Sequence, residues 1–171
     1  MTALWLLDVD GVLNAVTDRP SRSVWPDWTR ITAQAQGVDW PIWFSPSVVR
    51  FICQAQDSGL AEVRWLTTWE SEANGQLGQR LGLPSCTVAG FADPCSCGDE
   101  GCGEWWKWCA AKAAVAAEPG RPIVWTDDDL RYEVAAKRWA EAHGVLALAP
   151  DPRTGLTPSD LKTVGSYLGT G

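Results

Sequence analysis

The sequence predicts an α/β protein in which helices cover both faces of a parallel sheet. Three observations lead to this prediction: short apolar segments typical of buried strands, helical patterns between them, and acidic or hydroxyl residues at the ends of several apolar segments. With 171 residues the chain is long enough for one core and too short for two ordinary domains. We therefore expect a single domain over 1–171.

The strand predictions rest on four nearly continuous apolar segments, as expected for strands that are buried on both faces. They span 4–9, 62–67, 121–126 and 145–149. Because helical patterns separate them, right-handed crossovers would make the strands mutually parallel. Ligands bind at the carboxyl ends of the strands in such sheets, so a functional site is expected there.

Helices are predicted between and after the strands. Ser45-Pro46 opens the first, which carries apolar residues on one face and ends at Gly59. Further helices are expected over 70–81, 104–118 and 129–142. The sequence at 157–160 is typical of a capping box and opens a last helix.

Two segments interrupt this alternation. Residues 14–44 are rich in Pro and Trp and are predicted to form a flap or short hairpin over the end of the first strand, whereas 84–103 form a Cys- and Gly-rich loop. Of the twelve tryptophans, those in apolar segments are expected in the core: Trp5, Trp65 and Trp125. Those in polar segments could instead line a binding surface: Trp25, Trp28, Trp40, Trp43, Trp105 and Trp106.

Composition excludes several classes of protein. A formal net charge of −7 and a pI near 4.6 argue against binding nucleic acid through phosphate neutralisation alone, although a local basic patch stays open. No basic residue precedes the first apolar segment, and Asp8 follows too early for a signal peptide. No segment approaches the roughly 20 apolar residues of a membrane span. We expect a cytoplasmic protein with no membrane partner.

Acidic residues follow two of the predicted strands. Asp8 and Asp10 end the first, on the same side of the chain, and Gly11 allows a sharp turn beneath them. The strand at 121–126 runs into three successive acids, 127–129. Carboxylates so close raise one another's pKa unless a cation or a phosphoryl group uses them. Two solvated loop acids and a helix cap are the alternatives; together the acids are suited to Mg²⁺.

Hydroxyl and ammonium groups complete the pattern. Thr67 and Thr68 end the second strand, where a hydroxyl and a backbone N–H can bind a phosphoryl oxygen, although Thr also simply favours strands. Lys107 lies early in the third helix and Lys112 follows in the same helix. Either ammonium could hold a carboxylate and a phosphate together, or lie on a solvated helix face.

The order of these residues resembles the four motifs of the haloacid dehalogenase (HAD) superfamily. The matching strings are LLDVDGVLN, VRWLTTWE, WWKW and VWTDDDL, between about residues 4 and 150. Receiver domains of response regulators use similar residue types, but in a different order. Within the superfamily, the chain looks most like the short phosphatase-like domains grouped with multi-enzyme RNA-repair proteins.

The resemblance implies a Rossmann-like fold with a short flap and a small Cys-rich insert instead of a large cap. It also implies two-step phosphoryl transfer, in which Asp8 attacks phosphorus and Asp10 acts as acid and base. Thr67 and Lys107 would bind the phosphoryl oxygens, with Thr68 and Gly11 also at the substrate. Mg²⁺ would be held by Asp8, the backbone carbonyl of Asp10, and Asp127 with Asp128 close by. Three of the motifs offer more than one candidate, so the sequence does not decide between Thr67 and Thr68, between Lys107 and Lys112, or among the three acids 127–129.

Four thiols suggest a second metal. Cys95, Cys97, Cys102 and Cys109 could hold a structural Zn²⁺, with Cys86 as a possible substitute, although their spacing is not a standard zinc signature. Unbridged thiols and disulfides are the alternatives. Cys53 stands apart on a predicted helix and is expected to be a small core residue.

These features favour a Mg²⁺-dependent phosphatase acting on phosphomonoesters. Because both inserts are short, the site should be open, which favours a nucleotide or a polynucleotide end over a small substrate that needs a closing lid. A sugar phosphate or a phosphoprotein stays open as well. The alternative from another class is a non-catalytic binding module that recruits a partner through its Trp-rich surface.

Overall fold

A parallel sheet lies at the centre of the structure, a computed structural model that describes residues 1–91 and 105–169. The strands within this part of the chain are β1 (Ala3–Leu7), β2 (Thr29–Ala35), β3 (Val38–Phe44), β4 (Ala61–Trp65), β5 (Thr87–Val88), β6 (Ile123–Thr126) and β7 (Leu146–Leu148). The sheet has the order β5-β4-β1-β6-β7, and all its neighbouring strands pair in parallel. The predicted parallel sheet is confirmed. Strand β5 was not predicted, because two residues are too few to show a pattern.

The predicted helices are all present, with differences at two starts. They are α1 (Pro46–Asp57), α2 (Gln76–Leu81), α3 (Trp106–Ala117), α4 (Val134–Ala142) and α5 (Pro158–Leu168). The prediction 70–81 was too long, because Gly75 adopts a non-helical ψ of −127° and separates a 3₁₀ turn, Glu70–Asn74, from α2. The prediction 129–142 likewise merges a 3₁₀ turn, Asp128–Arg131, with α4. Thr157 and Asp160 form the predicted capping box of α5.

Both faces of the sheet are buried, as the continuous apolar strands predict. On β1, Trp5 and Leu7 face a core formed with α1, α2 and α5, whereas Leu4 and Leu6 face a second core formed with α3 and α4. Trp5, Trp65 and Trp125 are fully buried, as expected. The sheet is therefore the middle layer of three and holds its strand ends in fixed positions.

Residues 29–44 of the predicted flap form an antiparallel hairpin of β2 and β3. Its inward side chains belong to the main core: Ala33, Ala35, Ile42 and Phe44. Trp25 was one candidate for a binding surface, but it is a core residue: it is 8% exposed, and its indole N–H donates to the Leu156 carbonyl at 2.8 Å. Buried apolar contacts hold the hairpin against the sheet domain, so it forms a packed wall.

One further expectation concerns membranes. Within 1–91 and 105–169, no helix combines the length and the apolar character that crossing a bilayer requires.

Candidate active site

Three strands bring the predicted site residues to one edge of the sheet. Strand β1 pairs with β4 on one side and β6 on the other, so their carboxyl ends lie next to one another. Asp8 directly follows β1, Asp127 directly follows β6, and Thr67 follows shortly after β4. The backbone maintains this registry beyond the strands, since the Asp8 N–H donates to the Thr126 carbonyl at 3.1 Å.

Lys107 joins two of these carboxylates. It lies in the first turn of α3, and its Nζ is 2.7 Å from Asp8 Oδ2 and 2.8 Å from Asp127 Oδ2. All three side chains are removed from solvent, with exposures of 3% for Lys107, 5% for Asp8 and 0% for Asp127. We call these three residues the buried triad.

The buried triad has one ammonium for two carboxylates. Burial raises the pKa of Asp8, and burial together with the Asp8 charge raises the pKa of Asp127 well above its ordinary value. For Lys107, burial acts to lower the pKa, but the charges of Asp8 and Asp127 outweigh it and raise the pKa. Lys107 therefore stays protonated, and it faces two carboxyl groups whose charged forms are disfavoured by burial.

Asp128 adds a third acid to the same place. One carboxylate oxygen from each of Asp8, Asp127 and Asp128 lies within 4.8 Å of the others. Asp128 is half-buried, and burial followed by the charges of Asp129 and Asp8 raises its pKa to about 6. Clustered carboxylate oxygens are the donor set that Mg²⁺ prefers, and a divalent cation would balance their charge. The residues present therefore fit a magnesium site.

Gly11 lies against this cluster. Its φ is +70°, and a Cβ at this position would come within 2.2 Å of Asp128 Cγ. A larger residue would be strained and would displace the Asp128 carboxylate. The sequence predicts that Gly11 contacts the substrate. In the structure, its lack of a side chain allows Asp128 to approach the loop that follows β1.

The paired threonines differ in environment. Thr67 is fully buried, and its hydroxyl is close enough to Asp8 to act against the burial that raises the pKa of that carboxyl. The same hydroxyl accepts from the Trp69 N–H at 3.3 Å. Thr68 is exposed and lines a cleft beside Asp10. Thr67 is thus the threonine beside the predicted nucleophile.

Asp10 is held by two residues, Asn14 and Trp69, for which the sequence predicts no role. Its Oδ1 accepts from the Asn14 amide at 2.7 Å, and its Oδ2 accepts from the Trp69 indole at 2.8 Å. Asn14 also accepts from the Trp43 N–H of β3 at 2.9 Å, which links Asp10 to the hairpin. Both residues lie within the motif strings, but neither residue type indicates this role by itself.

Comparison with known proteins agrees with this arrangement. Residues 4–161 match the family model described as the HAD domain in Swiss Army Knife RNA repair proteins. The chain belongs to this family. Neither the curated proteins nor the solved structures contain a significant match. Membership in the HAD family, together with the acidic cluster at its strand ends, supports a phosphatase-type hydrolase.

The two lysine candidates of this HAD domain have different surroundings. Lys107 belongs to the buried triad, whereas the Lys112 ammonium lies 4.1 Å from the centre of the Trp108 ring on the same helix. The two aspartate candidates, Asp127 and Asp128, also differ in their surroundings. Both Asp127 oxygens already accept hydrogen bonds, from Lys107 at 2.8 Å and from the Asp129 N–H at 3.1 Å, and Asp128 is the more accessible acid.

The zinc hypothesis for this HAD domain stays a prediction. Cys95, Cys97 and Cys102 lie outside the described residues, and Cys109 is buried in α3. Cys86, the possible substitute, is also buried, and its thiol donates to the Pro84 carbonyl at 3.3 Å. In the part of the chain that the structure describes, the acidic cluster is the one group suited to a metal ion.

Proposed function

We propose that this HAD domain is a Mg²⁺-dependent phosphatase that hydrolyses phosphomonoesters through an aspartyl phosphate on Asp8. One observation carries the proposal: Asp8 lies at the end of the central strand between Lys107 and Thr67, while Asp10 is held nearby by Asn14 and Trp69. This arrangement supports the proposal, because Asp8 would be the nucleophile, Lys107 the cation for phosphoryl oxygens and Asp10 a separate acid–base group.

The first chemical step transfers the phosphoryl group to Asp8. An Asp8 carboxylate oxygen bonds to phosphorus as the bond from phosphorus to the leaving oxygen breaks. Protonated Asp10 gives its proton to that leaving oxygen, which departs as an alcohol. Lys107, already within hydrogen-bond distance of Asp8, neutralises charge on the phosphoryl oxygens, and the Thr67 hydroxyl donates to one of them.

The second step regenerates the enzyme. Asp10, now a carboxylate, removes a proton from water as the water oxygen bonds to phosphorus and the bond between phosphorus and Asp8 breaks. Inorganic phosphate leaves, and Asp10 is protonated again. The hydrogen bonds from Asn14 and Trp69 orient the same carboxylate for both steps.

Magnesium would be held by Asp8, Asp128 and the backbone carbonyl of Asp10. We assign Asp128 rather than Asp127 as the principal second carboxylate, because Asp127 accepts hydrogen bonds on both oxygens and positions Lys107. When bound, the ion would supply positive charge that offsets the repulsion between an anionic phosphate and the three carboxylates.

The substrate we propose is a phosphorylated polynucleotide end, with a nucleotide as the smaller relative. The family takes its name from RNA repair proteins. The hairpin beside the site is held by its own buried side chains, as a wall rather than a lid. A site that does not close can accept the end of a long chain. Sugar phosphates and phosphoproteins are the substrates against which this proposal is tested.

Phosphate release from p-nitrophenyl phosphate tests the reaction itself. We expect Mg²⁺-dependent turnover that EDTA stops and that is absent from Asp8→Asn. No turnover by folded wild-type protein with saturating Mg²⁺ would favour the non-catalytic binding module. Single-stranded oligonucleotides with a 5′- or 3′-phosphate, compared with mononucleotides, sugar phosphates and a phosphopeptide, would then identify the substrate class.

A further inference from the structure

The segment before β2 and strand β3 together form a cleft that is lined mainly by arginine and tryptophan. Its volume is about 280 Å³, and its lining is Arg19, Pro20, Arg22, Trp28 and Trp43. We call it the Arg–Trp cleft. Trp28 and Trp43 are half-buried, and both arginines lie in the segment that precedes β2.

The Arg–Trp cleft is formed by the same two chain segments as a cleft that contains Asp10. This active-site cleft has a volume of about 630 Å³, and Thr17, Asp18, Trp40 and Pro41 are among its lining residues. The same two chain segments line both clefts, since 17–18 are followed by Arg19 and 40–41 by Trp43. Neighbouring residues of both segments therefore lead from the cleft at Asp10 toward the Arg–Trp cleft.

Trp40 belongs to the cleft that contains Asp10. It is 49% exposed and lines both the active-site cleft and a smaller cleft that Asp10 shares with Thr68. Its strand packs through Ile42 and Phe44 into the core. The indole is thus presented on a fixed element, and less ordering is required when a flat group stacks on it.

The local charge differs from that of the whole chain. Segment 14–44 holds three arginines and three aspartates and is neutral, although the chain carries −7. Within the described ranges, none of Arg19, Arg22 and Arg30 forms an ion pair, and Arg30 lies over the Trp43 ring at 5.9 Å. Asp27 is engaged elsewhere, by the Ser45 and Ser47 hydroxyls at 2.7 Å each. Asp18 and Asp39 are exposed.

We infer that the Arg–Trp cleft binds the single-stranded nucleotides next to the phosphorylated end, with Arg19 and Arg22 on phosphates and Trp40 and Trp43 beneath bases. Guanidinium groups that follow a backbone and aromatic rings that stack bases are the two components of single-strand binding. A sugar phosphate would use neither. This inference rests on the proposed function only for the position of the end.

Binding and turnover are measured separately. Binding of a fluorescent single-stranded oligonucleotide with a terminal phosphate is followed by anisotropy on Asp8→Asn protein, with and without Arg19→Ala/Arg22→Ala. Turnover compares the same oligonucleotide with p-nitrophenyl phosphate in the otherwise wild-type chain. Arg138→Ala/Lys162→Ala is the matched control, because it removes the same charge from exposed positions on α4 and α5.

We expect Arg19→Ala/Arg22→Ala to raise the Kd for the oligonucleotide at least 10-fold. The slope of log K against log salt should become shallower by about 1.4, at roughly 0.7 for each lost single-strand phosphate contact. The ratio of kcat/KM for the oligonucleotide to that for p-nitrophenyl phosphate should fall by a similar factor. Trp40→Ala should weaken binding by about 10-fold through lost stacking. The control variant should retain the wild-type Kd and ratio.

The inference is overturned if the cleft variant and the control weaken binding equally, or if neither changes it. It is also overturned if polyglutamate of equal charge competes as well as the oligonucleotide, since stacking would then play no part. Failure of the proposed function has a different signature: tight, cleft-dependent binding of the oligonucleotide without turnover of any phosphomonoester would support the inference and reject the phosphatase.

Discussion

Two charge clusters lie at opposite ends of the same sheet. At the carboxyl ends of β1 and β6, Lys107 binds Asp8 and Asp127 in the buried triad. At the amino ends of β4 and β6, two glutamates and two arginines form a closed ring of four ion pairs: Glu62, Arg64, Glu118 and Arg121. Both clusters involve α3, which contributes Lys107 in its first turn and is followed directly by Glu118 as its C-cap.

The clusters differ in charge balance and in burial. The ring pairs two guanidiniums with two carboxylates and is half-buried, and hydrogen bonds from Arg121 to Glu118 and from Arg64 to Glu62 lower the pKa of each acid. In the buried triad one ammonium serves two carboxylates, and burial raises the pKa of both Asp8 and Asp127.

This difference in charge balance indicates that the ring has a structural role, whereas the buried triad has a functional one. The balanced ring is an arrangement that folding alone can favour, although ion pairs that stay partly open to solvent contribute little. An unbalanced buried cluster opposes folding, and such clusters are typical of sites where charge is used in a reaction. In the proposed phosphatase a metal ion would balance the acids of the buried triad and Asp128.

Asp8→Asn should show the largest effect on activity. The variant should have no measurable phosphatase activity, because an amide can neither attack phosphorus nor provide a charged metal ligand. Folding should not suffer, since the triad would then hold one ammonium and one carboxylate. Activity assays and thermal unfolding without metal test both points. More than a few per cent of wild-type activity would reject Asp8 as the nucleophile, and a large loss of stability would reject our account of the charge imbalance.

Lys107→Met should have the largest effect on folding. It leaves two buried carboxylates without their cation, for which we expect a loss of about 3–5 kcal/mol in the free energy of unfolding, together with loss of activity. Denaturant unfolding at neutral pH measures it. Lys112→Met on the same helix is the control and should cost under about 1 kcal/mol. Equal losses in the two variants would show that the buried triad has no special energetic role.

Asp10→Asn should reduce turnover without removing the metal site. Because the expected ligand from Asp10 is its backbone carbonyl, Mg²⁺ binding should persist, whereas loss of the acid–base group should slow turnover by about 10²- to 10⁴-fold. Mg²⁺ titration and kcat at saturating metal separate the two. Weak Mg²⁺ binding with normal kcat would contradict the assignment. Asn14→Ala should also slow turnover, but by a smaller factor than Asp10→Asn, because the Asn14 amide only orients Asp10.

Much of the site could be predicted from sequence, because its positions depend on strand ends. Apolar segments define the strands, and parallel pairing brings their ends together. The positions of Asp8, Thr67 and Asp127 at one edge of the sheet can be predicted from this arrangement. Asn14 and Trp69 could not be predicted in this way. Their contacts with Asp10 depend on a loop conformation and on a hydrogen bond between residues distant in sequence, neither of which has a periodic pattern.

The register and the Arg–Trp cleft needed the structure for different reasons. Successive acids at a strand end point in different directions, so a one-residue change in where β6 ends would exchange Asp127 and Asp128. The Arg–Trp cleft could not be predicted from composition, because the net charge of −7 is summed over the whole chain and gives no sign of a local basic surface. Only the folded hairpin brings Arg19 and Arg22 beside Trp28 and Trp43.

Glu118→Gln should have the smallest effect, and its dependence on pH is the diagnostic feature. Ion pairs that stay partly open to solvent are worth about 0.2–1 kcal/mol each, so we expect a loss near 1 kcal/mol at pH 7, reduced by added salt, with no change in phosphatase activity. The pKa of Glu118 is lowered by folding, so its contribution is present above its unfolded pKa, near 4.5, and disappears as the pH falls through the lower folded value. Wild type and variant should therefore converge in acid. Glu141→Gln, at an exposed position without an ion pair in the described structure, is the control and should match wild type throughout. A loss as large as that expected for Lys107→Met, or one that persists unchanged in acid, would mean that the two clusters do not differ as their charge balance predicts.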